Sequence, residues 1–107
     1  MSETNFQKQV TDLMDLFGWR WHHETDSRKS KAGWLDLLAV RAGHVVVAEL
    51  KTETGVVEPE QAVWLAHWRS VEHEVRSSST RPAGSPPAVQ VFLWRPSDID
   101  EITRVLR

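Results

Sequence analysis

The chain has no cysteine, which excludes disulfides, thiolate zinc sites and a cysteine nucleophile. No apolar run approaches the ~20 residues that a membrane span requires. The opening MSETNFQKQV has no apolar stretch of the kind a secretory signal carries, so a cytoplasmic location without membrane association is expected. Strong charge of either sign is also missing: the formal net charge is −2, so affinity for a polyanion has to come from a local patch. What remains is a globular balance, 40% hydrophobic and 26% charged over 107 residues, the size of one domain with a single core.

Apolar residues Phe6, Val10, Leu13, Met14 and Phe17 recur at helical spacing, with Gly18 placed to end the helix. Trp19 and Trp21 alternate with polar neighbours as in a short strand, which runs into the polar HETDSRKSK segment. Leu35–Val40 and Val45–Leu50 flank Ala42 and Gly43 and read as a hairpin whose two faces are both apolar. On that reading Leu38, Val40, Val45 and Val47 share one face, and Leu35, Leu37, Val46, Ala48 and Leu50 share the other. Pro59 suits the first turn of a second helix with its stripe at Trp64, Leu65, Trp68, Val71 and Val75. Residues 77–88 form a Ser/Pro/Gly tract expected to be a flexible loop within one domain spanning 1–107. Val89–Trp94 is a further strand, and Ser97 is placed to cap a short C-terminal helix. The expected order is α-β-β-β-α-β-α, an α/β fold.

Three charged residues interrupt the hairpin at its outer ends. Glu49 and Lys51 share a face because side chains alternate along a strand. With a two- or four-residue turn, Asp36 lies opposite Glu49; a three-residue bulged loop would instead pair Val40 with His44 and move Asp36 off that face. Two carboxylates directly opposed, Cβ atoms roughly 5 Å apart, destabilise a sheet unless something compensates. A divalent cation does so, since Mg²⁺ prefers hard oxygen ligands and retains waters. Lys51, one step along, is placed to polarise or orient such a water.

Other features are less specific. Arg28, Lys29 and Lys31 in SRKSK make a basic run just ahead of Gly33, which by itself is an ordinary solvated loop. Trp64 and Trp68 at i, i+4 belong to an apolar stripe, whereas Trp34, beside Asp36, is the tryptophan placed to stack on a base. His44, His67 and His73 read as surface residues.

The first helix, the G-x-x-D of Gly33 to Asp36, the E-L-K of Glu49 to Lys51 and the P-E-Q that opens the next helix together resemble the PD-(D/E)XK nuclease superfamily. Within it the likeness is greatest to small stand-alone virus-type replication-repair (VRR-Nuc) nucleases of phages and bacteria. It extends over nearly the whole chain, leaving out the 77–88 tract. The resemblance implies a restriction-endonuclease-like α-β-β-β-α-β core with a mixed central sheet flanked by helices, plus here a short C-terminal helix. It also implies Mg²⁺- or Mn²⁺-dependent, structure-selective hydrolysis of DNA phosphodiesters, with branched DNA such as Holliday junctions as substrate and a homodimer as the working form. Asp36 and Glu49 match the metal-binding acids, the Leu50 carbonyl the third ligand, Lys51 the catalytic lysine and Gln61 the glutamine of the following helix. Gln61 is three and four residues from Trp64 and Leu65, which puts it on the stripe facing the sheet.

His23 and Ser27 resemble polar positions that recur in these nucleases, and with Arg28, Lys29, Lys31 and Trp34 they are expected to contact DNA. Two positions depart from the family pattern. Leu35 stands where a proline usually precedes the first acid. Gln7 stands at the counterpart of a helix-one glutamate, with Glu3 one turn earlier, so either the site holds its metal through fewer charges or Glu3 substitutes. The alternative expectation is a non-catalytic nuclease-like module that binds DNA or protein.

Overall fold

The computed structural model describes residues 1–24 and 33–107. Ser2 starts the first helix, α1 (Glu3–Leu16), by accepting the Asn5 N–H on its hydroxyl at 3.0 Å, and Glu3 in the first turn suits the positive helix end. The helix stops where expected. Gly18, at φ 80°, lets the Trp19 N–H reach back to the Met14 carbonyl (2.8 Å) while its own N–H meets Asp15 (3.2 Å), which satisfies carbonyls the helix would otherwise leave open.

Three strands follow: β1 (Arg20–His23), β2 (Leu37–Arg41) and β3 (His44–Leu50). Helix α2 (Pro59–Ser77) crosses over to β4 (Val89–Trp94), and α3 (Ile99–Leu106) closes the chain. Among the described residues the sheet has four strands in the order β1-β2-β3-β4, antiparallel except for the parallel pair β3–β4. It is a mixed sheet flanked by helices with a helix at the C-terminus, in the element order read from periodicity. No helix among the described residues is long and apolar enough to cross a membrane.

The two-residue turn holds. Arg41 pairs with His44, and both Ala42 (φ 48°) and Gly43 (φ 84°) adopt the positive φ that such a hairpin turn demands. Each sheet face then buries its own cluster. Phe6, Val10 and Met14 of α1 and Ile102 and Leu106 of α3 pack on Leu37, Ala39, Val46, Ala48, Leu50 and Trp94. On the other face Leu65 of α2 meets Leu35, Val47 and Val91, with Trp64 and Trp68 half-buried beside them.

Two expectations are corrected here. Leu35 packs with Val47 rather than with Leu37, because the chain bends at Asp36 and the alternation of β2 begins only at Leu37. Ser97 does not cap the last helix: residues 96–98 form a short 3-10 turn in which Asp98 Oδ2 accepts the Arg95 N–H at 2.8 Å.

One arginine ties the ends of the fold. Arg41 donates from Nη1 to the carbonyls of Phe17 and Leu106, both at 2.9 Å, and from Nη2 to that of Arg107 at 3.2 Å. Its guanidinium lies 4.4 Å from the Trp19 ring centre, and Trp19 Nε1 also donates to Leu106. The carbonyl-rich ends of α1 and α3 thus share one cation. Arg41→Met keeps the aliphatic stem and should destabilise the fold by about 2 kcal/mol, measured by urea denaturation, because hydrogen bonds from a charged donor are lost at several carbonyls together.

Candidate active site

β3 ends in Glu49 and Leu50, with Lys51 the next residue, and strand alternation turns Glu49 to the α2 face and Leu50 into the opposite core. Glu49 is fully buried and Lys51 nearly so, at 9% exposure. Asp36 sits in the bend that precedes β2, and its Oδ2 accepts the Leu50 backbone N–H at 2.8 Å. Asp36 therefore takes the place of the strand partner that β3 would otherwise have at its last residue. Since the N–H and C=O of a strand residue point to the same neighbour, the Leu50 carbonyl also faces the Asp36 side.

Helix α2 supplies the fourth group. Glu58 and Gln61 form a reciprocal cap at its start, in which the Glu58 N–H donates to Gln61 Oε1 at 2.9 Å. That fixes the amide orientation, and Gln61 Nε2 then donates to Glu49 Oε1 at 3.0 Å. Lys51 Nζ is 3.8 Å from the same oxygen. The second oxygen, Oε2, is buried with no hydrogen-bond partner among the described residues.

These surroundings push the Glu49 carboxyl up from its ordinary 4.5 to about 8. Desolvation is the largest cause, the neighbouring Asp36 carboxylate comes next, and Lys51 opposes them. The charge of Glu3 adds a smaller upward push, which brings the first turn of α1 into the electrostatic field of the acidic pair.

Close packing holds α2 in this position. Gly33, at φ 80°, lies against the first turn of the helix, where an added Cβ would fall 2.6 Å from both the Glu60 oxygen and the Gln61 nitrogen. The loop between Lys51 and α2 is held from the other side by Arg95, whose Nη1 donates to the carbonyls of Thr52 (2.6 Å) and Gly55 (2.8 Å). Ser97 donates from Oγ to Glu53 at 3.1 Å. Reading the sequence did not find Arg95, Glu53 or Ser97 as parts of this support; each acts across more than 35 residues and no local pattern marks them.

Asp36, Glu49, Leu50, Lys51 and Gln61 therefore come together. Gln7 lies half-buried on α1, one turn beyond Glu3. His23 is opposite Leu37 in the sheet, so it shares the α1 face, whereas His22, opposite Leu38, shares the face of Glu49. Trp34 packs edge-on against Trp64 with ring centres 4.8 Å apart. Ser27, Arg28, Lys29 and Lys31 lie outside the described residues. His44, expected at the surface, is half-buried and bonded through both ring nitrogens, to Pro87 and Arg81.

A divalent cation fits this donor set in three respects: a carboxylate oxygen without a partner, a second carboxylate beside it, and a backbone carbonyl facing the same side. No group of three His, Asp or Glu side chains able to hold a metal occurs among the described residues. Two carboxylates with a carbonyl match an ion that keeps several waters, as Mg²⁺ does. Comparison of the chain with protein-family models, with curated proteins and with solved structures returns no match.

Two measurements probe this arrangement. Folding favours the protonated Glu49, so the metal-free protein should lose stability as pH rises from 4.5 to about 8 and level off above that. Glu49→Gln should then be more stable than the parent by about 3 kcal/mol at pH 8.5 in denaturant titrations, with the difference vanishing towards pH 4. Gly33→Ala should cost about 2 kcal/mol or more, because the methyl meets helix backbone at a positive φ.

Proposed function

We propose that this chain is a Mg²⁺- or Mn²⁺-dependent DNA endonuclease of PD-(D/E)XK type, with a restriction-endonuclease-like core and a likeness to VRR-Nuc enzymes. The observation that carries the reading is the fully buried Glu49, with one oxygen held by Gln61 near Lys51 and the other unpartnered beside Asp36. A purely structural carboxylate would be expected to have both oxygens satisfied, and a lone strand-end ion pair would lie at the solvent boundary. Placing a second acid beside a buried one raises the cost further, which is the pattern of a site organised for a cation.

The residues divide the work. Gln61 occupies Glu49 Oε1, so that Oε2 is the Glu49 oxygen left to ligate an ion, and Asp36, fixed by the Leu50 N–H on its Oδ2, stands beside it. The Leu50 carbonyl completes the donor set. When bound, a divalent ion supplies Lewis-acid polarisation of a phosphodiester and a more acidic water. Lys51 holds positive charge next to that centre, where it stabilises the negative charge that grows on the phosphate, and its burial strengthens the effect. Trp34 and His23, with the basic residues Arg28, Lys29 and Lys31 and with Ser27, are assigned to DNA contact. Branched DNA is the proposed substrate, cut by a symmetric dimer whose two sites act on two strands. A cytoplasmic setting in a bacterial or phage-infected cell agrees with this activity.

A second reading, a non-catalytic DNA- or protein-binding module of the same fold, draws on Gln7, a neutral amide where the family likeness calls for an acid. The two separate in one assay of branched, flapped and linear DNA with Mg²⁺, Mn²⁺ or chelator. The nuclease reading requires metal-dependent nicking that Lys51→Ala lowers by roughly 100-fold or more while the thermal transition is retained. Binding without cutting in any metal would select the module instead.

A further inference from the structure

The opposite end of β3 carries a second polar cluster. The segment after α2 folds over the β2–β3 turn, where the Val45 N–H donates to the Ala88 carbonyl at 2.7 Å. Beneath it is a surface cavity of about 240 Å³ lined by Arg76, Ser79, Arg81, Ser85 and the rings of three prolines, with no Asp or Glu among its lining residues.

Arg81 is held in place at this cavity. Its Nη1 is 3.3 Å from His44 Nε2 and its Nη2 donates to the Gly43 carbonyl at 3.3 Å. His44 Nδ1 is 3.2 Å from the Pro87 carbonyl, so a ring protonated at Nδ1 donates there and accepts from Arg81. A guanidinium has five N–H donors, and these contacts use two of them. Ser79 Oγ accepts the Arg81 N–H at 3.1 Å, which leaves its own proton to donate. The Arg76 carbonyl accepts the Ser79 N–H at 3.3 Å, while its guanidinium makes no hydrogen bond or ion pair with any described residue.

Favourable placement of Arg76 in the last turn of α2 accounts for one cation. It does not account for a second one fixed beside it over an acid-free cavity. Two arginines and two serines lining one cavity supply several N–H and O–H donors and no carboxylate, and phosphate is an anion that such a set can hold. The volume exceeds that of one phosphate, and the proline rings offer an apolar wall for an attached sugar.

We infer that the Arg76–Arg81 cavity binds a phosphate group, carried either by a polynucleotide backbone or by a small phosphate compound. Its position is separate from the acidic site: His44 and Glu49 are at opposite ends of β3, roughly 17 Å apart at strand spacing. A duplex running along the strand would cover that separation in about five base pairs.

Amide NMR of the whole chain, with chelator present, tests the site without any cleavage. Inorganic phosphate, added against chloride at matched ionic strength, should give saturable shifts at Ser79, Arg81, Gly84 and Ser85. Arg76→Gln, which removes a guanidinium without partners among the described residues, should weaken binding about tenfold, and Arg81→Gln at least as much. Shifts that do not saturate, or that survive Arg76→Gln unchanged, would overturn the inference. Competition then identifies the source: a short DNA duplex displacing phosphate at lower concentration than a nucleoside monophosphate assigns a polynucleotide backbone, and the reverse order assigns a small phosphate compound. Failure here would leave the Asp36–Glu49 reading intact, since neither metal nor cutting enters the measurement.

Discussion

The structure depends on how one carboxylate is buried. Glu49 sits at the end of a central strand, fully removed from solvent, against a second acid and under a helix. Burying a charge is expensive unless it is paired and hydrogen-bonded, and here the pairing is partial. Gln61 satisfies one oxygen and Lys51 stands 3.8 Å from it, while the other oxygen has no partner. That incomplete satisfaction separates this cluster from an ordinary structural ion pair and is the feature on which the proposed cation site rests.

Around that point the fold is arranged to prevent relaxation. Rotating Gln61 away would release Glu49, but the amide is also one half of the α2 cap. Shifting α2 outward would relieve the crowding, but Gly33 and Arg95 fasten its approach from two sides, one by close backbone contact and the other by hydrogen bonds to the loop carbonyls. Moving Asp36 would open the pair, but Asp36 closes the last N–H of β3. Asp36 and Gln61, which crowd Glu49, are therefore each committed to a structural bond elsewhere.

The sheet carries polar clusters of contrasting charge at its two ends. Among the described residues, one end gathers acids with Lys51, and the other gathers arginines with hydroxyls. Because β3 runs between them as a buried strand, its length sets their separation.

Much of the architecture was legible in the chain before any coordinates. Apolar spacing marked α1 and α2, Gly18 and Pro59 marked their ends, and the alternation of Val45 to Lys51 put Glu49 and Lys51 on one face, because these signals depend only on neighbours within a turn or a strand. Asp36 opposite Glu49 required knowing whether the turn held two residues or three. Only the folded chain decided that, by placing Ala42 as well as Gly43 at positive φ. Leu35 packs on the face opposite to the one its parity gives, because a bend at Asp36 breaks the alternation, and sequence parity cannot register a bend. Gln61 lay on the correct stripe, yet its contact with Glu49 depends on the path of a loop held by Arg95 from beyond β4. The sequence by itself therefore determined which residues are available on each face of each element. Tertiary structure decided which of them meet, because that depends on turn geometry and on contacts between segments far apart in the chain.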